Sequence, residues 1–130
     1  MAESNERMTM TYKAASDLSA KKYHVVRNAG ERSCDVATVA AGGGFADNMI
    51  GILDNAPLAN QNATIVYGGI TKAVAGGSVS QGVIVTTNSV GRVTAAVSGD
   101  LAVGQALTAA SANGDVITVK VAVWRLSGAV

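Results

Sequence analysis

The chain has 130 residues, 48% of them hydrophobic, and a formal net charge of +1. This apolar content excludes an intrinsically disordered protein, and no apolar run approaches the ~20 residues that a membrane helix needs. The near-neutral charge, without a cluster of Lys and Arg on one segment, provides no basic surface, so we expect neither nucleic acid nor membrane as a partner.

The composition also indicates the fold class. Aromatic residues make up only 4% of the chain, and its 15 glycines favour many short strands joined by glycine turns. We therefore predict an all-β fold of the small β-barrel type, and the length predicts one core. Cys34 has no partner for an internal disulfide, and the N-terminus lacks an apolar signal segment. Both observations favour synthesis and use in a reducing cytoplasm.

The N-terminal segment differs from the rest of the chain. Residues 1–17 are mostly polar or charged, and we predict an extended N-terminal arm there, followed by a β-barrel domain over residues 18–130. Met8, Met10 and Tyr12 alternate with threonines, so an extended conformation would put these three side chains on one face. We predict that they are protein-interaction residues. The alternative is a flexible terminus with incidental methionines.

The first predicted hairpin follows the arm. The strand KYHVVRN starts at Lys22, a turn spans residues 28–32, and the return strand runs from Ser33 to Val39. Three consecutive glycines, residues 42–44, cost too much backbone entropy for the interior of a strand or helix. They predict a flexible connection to the next strand.

The stretch NMIGILDNAPLANQNATIVYGG, residues 48–69, is predicted as strand, connection and strand. The segments Met49–Leu53 and Thr64–Tyr67 are too short for stable helices and rich in β-branched residues. Pro57 and the surrounding Asp and Asn residues favour a chain reversal between them. The strand continues beyond Gly68-Gly69, where a bulge or bend is expected.

A weaker copy of this unit occurs later in the chain. VGQALTAASAN, residues 103–113, aligns with IGILDNAPLAN, residues 50–60, and places Gly104 on Gly51. A β-rich segment follows each copy. We interpret this as one ββ unit present twice, with chance similarity in an Ala-rich and Gly-rich chain as the alternative.

The second half contains further hairpins. A strand at Val83–Thr87, a turn at residues 88–91 and a strand at residues 92–97 form one of them. Residues 103–110 could form a helix, but Gly104 favours a strand. Asn113-Gly114 predicts a turn into the last strand, Asp115 to Trp124. In this strand Ile117, Val119, Val121 and Val123 share one face, Thr118, Lys120, Ala122 and Trp124 share the other, and one of the two faces is predicted to be core.

No combination of residues predicts catalysis, a cofactor or a metal site. His24 and Cys34 are the only residues of their types, and no carboxylates at ligand-like spacing accompany them. A Cys-His nucleophile pair is conceivable across the first hairpin, but no orienting third group is evident. We prefer a half-buried His on a strand and a buried structural Cys. The glycine clusters lack the sequence of a phosphate-binding loop.

The order of motifs resembles a known family. DLSAKKYHVVRN is followed by IGILDNAP, by ATIVYGGITKAVAGGSVSQGVIVTTNSVGRVTAA and by GDLAVGQALTAASANGDVITVKV. From about Asp17 to Val121 this succession resembles the small β-rich capsid decoration (cement) proteins of tailed bacteriophages and related prophages. Family members commonly start near the position of Met10 or Tyr12, so the leading residues of this chain are an addition.

The resemblance implies a compact β-barrel or β-tulip domain without catalytic activity. It implies a location on the outer capsid surface of a virion, where the protein binds the major capsid protein, often as a homotrimer, and reinforces the shell. A small-ligand or carbohydrate-binding β domain is the alternative, although a sugar platform usually needs exposed aromatics and the chain has few. An enzyme is the third hypothesis.

Overall fold

The structure is a computed structural model, and it describes residues 7–37, 49–96 and 101–125. The predicted glycine connection at residues 42–44 lies outside these ranges, as does the end of the strand predicted at residues 92–97. No helix long and apolar enough to cross a membrane occurs in the described ranges.

The described residues form nine strands that join into one sheet, so the prediction of an all-β fold is confirmed. The strands are β1 (Met8–Ala14), β2 (Val25–Gly30), β3 (Ser33–Val36), β4 (Met49–Leu53), β5 (Asn62–Val74), β6 (Ile84–Thr87), β7 (Val93–Ala95), β8 (Leu101–Ala106) and β9 (Val116–Arg125). Their order in the sheet is β1-β3-β2-β4-β5-β9-β8-β6-β7, with an additional β1–β5 pairing.

The long strand β5 is shared between two barrels. Its first part, residues 62–68, pairs with β1 and β4, and its second part, residues 69–74, pairs with β9. In the first ring, named barrel 1, the order β1-β3-β2-β4-β5 closes because β5 pairs with β1. Gly68-Gly69 lies where β5 leaves barrel 1. The β1–β5 register shifts at this point, which confirms the irregularity predicted there.

A second ring, named barrel 2, repeats this order with the later strands. The second part of β5 pairs with β9, β9 with β8, β8 with β6, and β6 with β7. Ala75, directly after β5, forms a parallel bridge with Val93 in β7 and closes the ring. The parallel pair Ala14 and Cys34 is the equivalent contact in barrel 1. The chain therefore contains two barrels of one topology.

Backbone hydrogen bonds recur at equivalent positions in the two barrels. The Ala15 amide donates to the Cys34 carbonyl in barrel 1, and the Gly76 amide to the Val93 carbonyl in barrel 2, both at 2.8 Å. Three further amide-to-carbonyl bonds of barrel 1 have counterparts in barrel 2. In barrel 1 they are Leu18 to Pro57, Tyr23 to Leu53 and Asn60 to Ala14. In barrel 2 they are, in the same order, Val79 to Ala110, Gly82 to Ala106 and Gly114 to Ala75. The duplication thus extends beyond one ββ unit to the whole barrel.

Each barrel has its own interior, so the prediction of one core is wrong. The interior of barrel 1 contains Ala14, Leu18, Val26, Cys34, Leu53, Ala63 and Ile65. Their counterparts lie, in the same order, in the larger cluster that fills barrel 2: Ala75, Val79, Val85, Val93, Ala106, Ile117 and Val119. This cluster also contains Val25, Ile52 and Val66 from the outer side of barrel 1. It therefore spans the interface between the barrels.

The two glycines aligned in the sequence have the same surroundings. Gly51 lies against the carbonyl oxygen of Val66 on β5, and Gly104 lies against that of Lys120 on β9. A Cβ at either position would collide with that backbone oxygen. Each glycine therefore permits a close approach between neighbouring strands, which explains why the weak repeat retains it.

Most strand predictions for the second half are confirmed. Residues 101–106 form β8, not a helix, and a turn at Asn113-Gly114 leads into β9. On β9, Ile117, Val119 and Val121 are buried whereas Lys120 is exposed, so one face is core as predicted; the side chain of Val123 lies outside the described residues. Strand β2 begins three residues later than predicted, because residues 21–24 form a turn closed by the His24 amide and the Lys21 carbonyl.

The N-terminal segment is part of barrel 1. Strand β1 pairs antiparallel with β5 from Met8 to Lys13, and parallel with β3 at Lys13 and Ala14. Within the segment predicted as an arm, residues 8–14 therefore form a strand of barrel 1, and Ala14 is fully buried in the barrel 1 interior. The sequence pattern did not predict the pairing of β1, because its partner strands β3 and β5 lie far along the chain. In addition, the exposed threonines and Lys13 resemble a solvated terminus.

Candidate interaction surface

The predicted interaction residues Met8, Met10 and Tyr12 lie on one extended strand, but they have different environments. Met10 and Tyr12 are half-buried and pack against the interior of barrel 1. Met8, at the start of β1, is 56% exposed. Of the three, Met8 therefore keeps the character of an interaction residue, and the other two contribute to the fold of their own barrel.

Met8 lies beside the point where β5 passes from one barrel to the other. It pairs with Gly68, and its side chain occupies the space that a Cβ at Gly68 would need. Two further exposed apolar residues, Tyr67 and Ile70, flank the Gly68-Gly69 pair. We name Met8, Tyr67 and Ile70 the seam residues. The exposure of Tyr67 and Ile70 was not predicted from the sequence, although the adjacent glycine pair indicates an unusual place in the sheet.

A groove of about 290 Å³ opens at the seam. It is lined by Arg7, Tyr23, Asp54, Ile70, Thr71, Lys72 and Thr118. The Arg7 guanidinium donates to the Asp54 carboxylate at 3.2 Å, and the Lys22 ammonium lies 5.0 Å from the centre of the Tyr23 ring. The groove is therefore mixed in character, with an apolar patch at Ile70 and charged groups at its rim. Such a surface suits contact with another protein more than it suits enclosure of a small ligand.

His24 and Cys34 do not form a nucleophile pair. The register of β2 against β3 places Cys34 opposite Asn28, and the His24 side chain bonds elsewhere. Burial raises the pKa of the Cys34 thiol to about 11, so the thiol is protonated at neutral pH and inert as a nucleophile. No group of three or more His, Cys, Asp or Glu side chains in the described ranges could hold a metal ion.

His24 lies at the interface between the barrels and is 4% exposed. Its Nδ1 lies 3.2 Å from the Lys22 carbonyl oxygen, and its Nε2 lies 3.4 Å from Arg92 Nε in barrel 2. The Arg92 guanidinium also donates to the Asn113 side-chain oxygen at 2.8 Å. His24 was predicted to be half-buried on a strand, whereas it is buried and lies just before β2. Its contact across the interface could not be inferred from sequence because Arg92 is 68 residues away.

Backbone contacts join the barrels beside His24. The Val25 amide donates to the Gly91 carbonyl at 2.6 Å, and the Val74 amide donates to the Tyr23 carbonyl at 3.0 Å. Gly91 is buried, with φ of +80°, and a Cβ there would lie 2.5 Å from a Val36 methyl group and 3.0 Å from the Val25 carbonyl oxygen. The interface is therefore closely packed around a glycine with a left-handed backbone.

Comparison with known proteins gives a match in structure only. No family model and no curated protein sequence matches the chain. Among solved structures, the head fiber gp8.5 N base of bacteriophage phi29 matches with a TM-score of 0.58 and 16% sequence identity. The match covers 89% of this chain and 94% of the phi29 chain. At this identity the likeness shows a shared fold over nearly the whole length of both chains.

Proposed function

We propose that this chain is a structural protein of a tailed-phage virion, which binds the outer surface of the capsid through the major capsid protein and stabilises the shell. The observation that carries the proposal is the structural match, which extends over nearly all of a phage head fiber base and leaves little of either chain unmatched. The sequence resemblance to capsid decoration proteins supports the same role independently.

The chemistry of the described residues supports a role without catalysis. The buried thiol is protonated at neutral pH, and the histidine is engaged between the barrels. Two barrels with closely packed interiors form a rigid unit, which suits a protein that reinforces a shell. We propose that the seam residues contact the capsid, since exposed apolar residues beside charged groups form the usual core and rim of a protein interface.

Co-sedimentation with heads assembled from the cognate major capsid protein tests the proposal. We expect saturable binding and a rise in the melting temperature of the heads. Met8→Ser with Ile70→Ser should weaken binding, whereas Leu58→Ser with Val90→Ser, at similarly exposed positions on other segments, should not. Binding to a glycan array but not to heads would instead support the carbohydrate-binding alternative. Equal binding by both double variants would show that the seam residues do not contact the capsid.

We also propose self-association as a homotrimer on the capsid, as the resemblance to decoration proteins implies. Light scattering coupled to size-exclusion chromatography should show a species of about three times the 13.0 kDa chain mass, either free or after release from heads. A stable monomer in both conditions would contradict this part of the proposal and leave capsid binding to be tested separately.

A further inference from the structure

The contact between His24 and Arg92 has a fixed protonation state. The guanidinium Nε can only donate a hydrogen bond, so His24 Nε2 must accept, and the Lys22 carbonyl can only accept, so Nδ1 must carry the proton. The imidazole is therefore neutral in the docked arrangement. A second proton would have to sit on Nε2, where it would face the N–H of Arg92.

The charged groups around the imidazole all oppose its protonation. Lys21 lies on the same connection, and Arg92 approaches from the β6–β7 turn of barrel 2. Among the described residues, no carboxylate hydrogen-bonds to the ring. Burial is the largest cause that lowers the pKa of His24, and the positive charges of Lys21 and Arg92 lower it further, while hydrogen bonds to the Lys22 and Lys21 backbone oppose the shift without reversing it.

The surrounding backbone ties the histidine to barrel docking. Val25, next to His24, donates its amide to Gly91, next to Arg92. Tyr23, on the other side of His24, accepts from the Val74 amide on β5. The counterparts of His24 and Arg92 in the other barrel are Val83 and Ser33, so the duplicated fold does not require a polar pair at these positions. The pair belongs specifically to the contact between barrels.

We propose that His24 and Arg92 form an acid-sensitive latch between the two barrels. Protonation of His24 places two cations at hydrogen-bond distance inside a packed interface, and the β6–β7 turn moves away from β2. The state with the turn released exposes the imidazole to water and binds the proton at the ordinary pKa of histidine. Acid therefore favours the released state, and the effect is absent well above pH 6.5.

The sign of the linkage follows from the lowered pKa. As pH falls through 6.5, the released state takes up a proton before the docked state does, so docking weakens on acidification. For one group with an ordinary pKa of 6.5 in the released state, the docking equilibrium can change by at most about 25-fold between pH 7 and pH 5. We expect a change between about threefold and that limit.

Amide hydrogen exchange of the full chain, measured by NMR and corrected for intrinsic rates, tests the latch. The Val25 and Val74 amides bridge the barrels. At pH 5 their protection should be lower than at pH 7 by about threefold to 25-fold. The Ile65 and Val119 amides, within the barrel interiors, serve as internal controls and should keep their protection. Unchanged protection of Val25 and Val74 at pH 5 in the wild-type chain would overturn the proposal.

Two variants separate the latch from general acid destabilisation. His24→Gln stays neutral at every pH, and its Val25 and Val74 amides should show no specific loss of protection at pH 5. The same loss in this variant as in wild type would overturn the proposal. If His24→Gln does not fold, the imidazole resonances of this only histidine still report on the latch. Its titration midpoint should lie below 6.5 and rise in Arg92→Gln, and a midpoint unaffected by Arg92→Gln would contradict the latch.

Discussion

The two barrels share one topology but differ on their outer faces. On barrel 1, Val25, Ile52 and Val66 are buried under barrel 2. The equivalent positions on barrel 2 are Ile84, Gln105 and Lys120, which are half-buried or exposed. The interiors keep the same apolar positions while the outer faces diverge. Outer-face chemistry therefore determines which barrel is covered, in the way that terminal units of repeat proteins carry a polar outer face.

The β6–β7 turn of barrel 2 and its counterpart in barrel 1, the β2–β3 turn, also differ in whether they are covered. Gly91 in the β6–β7 turn packs against β2, and its counterpart in the β2–β3 turn is the exposed Arg32, also with positive φ. An arginine side chain has no room in a contact as close as that of Gly91. Barrel 2 can therefore dock on barrel 1, but barrel 1 cannot dock on another barrel through the same contact.

Removing residues 1–13 should abolish cooperative folding. Strand β1 closes barrel 1 between β3 and β5, and its loss takes Met10 and Tyr12 from the barrel 1 interior. We expect circular dichroism to show loss of strand content and no sharp thermal transition. The conservative variant Thr11→Ser, at an exposed position on the same strand, should melt like wild type. A truncated chain with a wild-type transition would show that barrel 1 does not depend on β1.

Exchanging residues between equivalent outer-face positions should change the free energy of unfolding much more on barrel 1 than on barrel 2. Val66→Lys buries an unpaired charge between the barrels and should cost about 3 to 5 kcal/mol in the free energy of unfolding. Lys120→Val at the equivalent position replaces an exposed side chain and should change stability by less than about 0.5 kcal/mol. Urea denaturation measures both. Similar costs at the two positions would contradict the assignment of a covered and an uncovered face.

Exchanging the turn residues tests the docking contact. Gly91→Arg puts a side chain against Val36 and the Val25 carbonyl at a left-handed backbone, and should cost about 3 kcal/mol or more. Arg32→Gly puts glycine at an exposed turn position with positive φ, where a non-glycine residue is strained. This change should be neutral or should stabilise the fold by up to about 1 kcal/mol. Thermal denaturation of both variants is the measurement. Destabilisation by Arg32→Gly comparable to that of Gly91→Arg would refute the contrast.

Replacing Cys34 by the residue that barrel 2 uses should have the smallest effect. Val93 occupies the equivalent interior position, so Cys34→Val should cost less than about 1.5 kcal/mol in unfolding free energy. Because burial raises the pKa of the Cys34 thiol to about 11, a thiol reagent at pH 8 should modify wild type only in denaturant. Fast modification of the native protein would contradict the placement of Cys34 in the barrel interior.

The sequence predicted the fold class well, because β-branched runs, turn residues and glycine pairs are local features. It predicted the Gly51 and Gly104 equivalence but not the second barrel, since interior positions such as Leu18 and Val79 keep only apolar character. Three non-glycine residues of barrel 1 with positive φ, Tyr23, Arg32 and Asn60, also hide the repeat. Their counterparts in barrel 2 are glycines, namely Gly82, Gly91 and Gly114.

The interaction role of Met8, Met10 and Tyr12 stays a prediction, and the strand pattern anticipated their environments only in part. Alternation placed Met8, Met10 and Tyr12 on one face of a strand, and the strand exists, but alternation could not say whether that face meets its own barrel or another molecule. Tyr67 and Ile70 join Met8 at the surface because β5 passes between barrels at Gly68-Gly69. The path of β5 between the barrels depends on pairing with strands distant in sequence, and a local sequence pattern cannot predict that pairing.

Cryo-electron microscopy of cognate heads, with and without added protein, tests the central claim most directly. We expect additional density on the outer surface of the shell, which fits both barrels together as one rigid body in contact with the major capsid protein. Reconstructions of the two samples that are identical at saturating protein concentration would contradict the claim that this chain is a structural protein of the capsid surface.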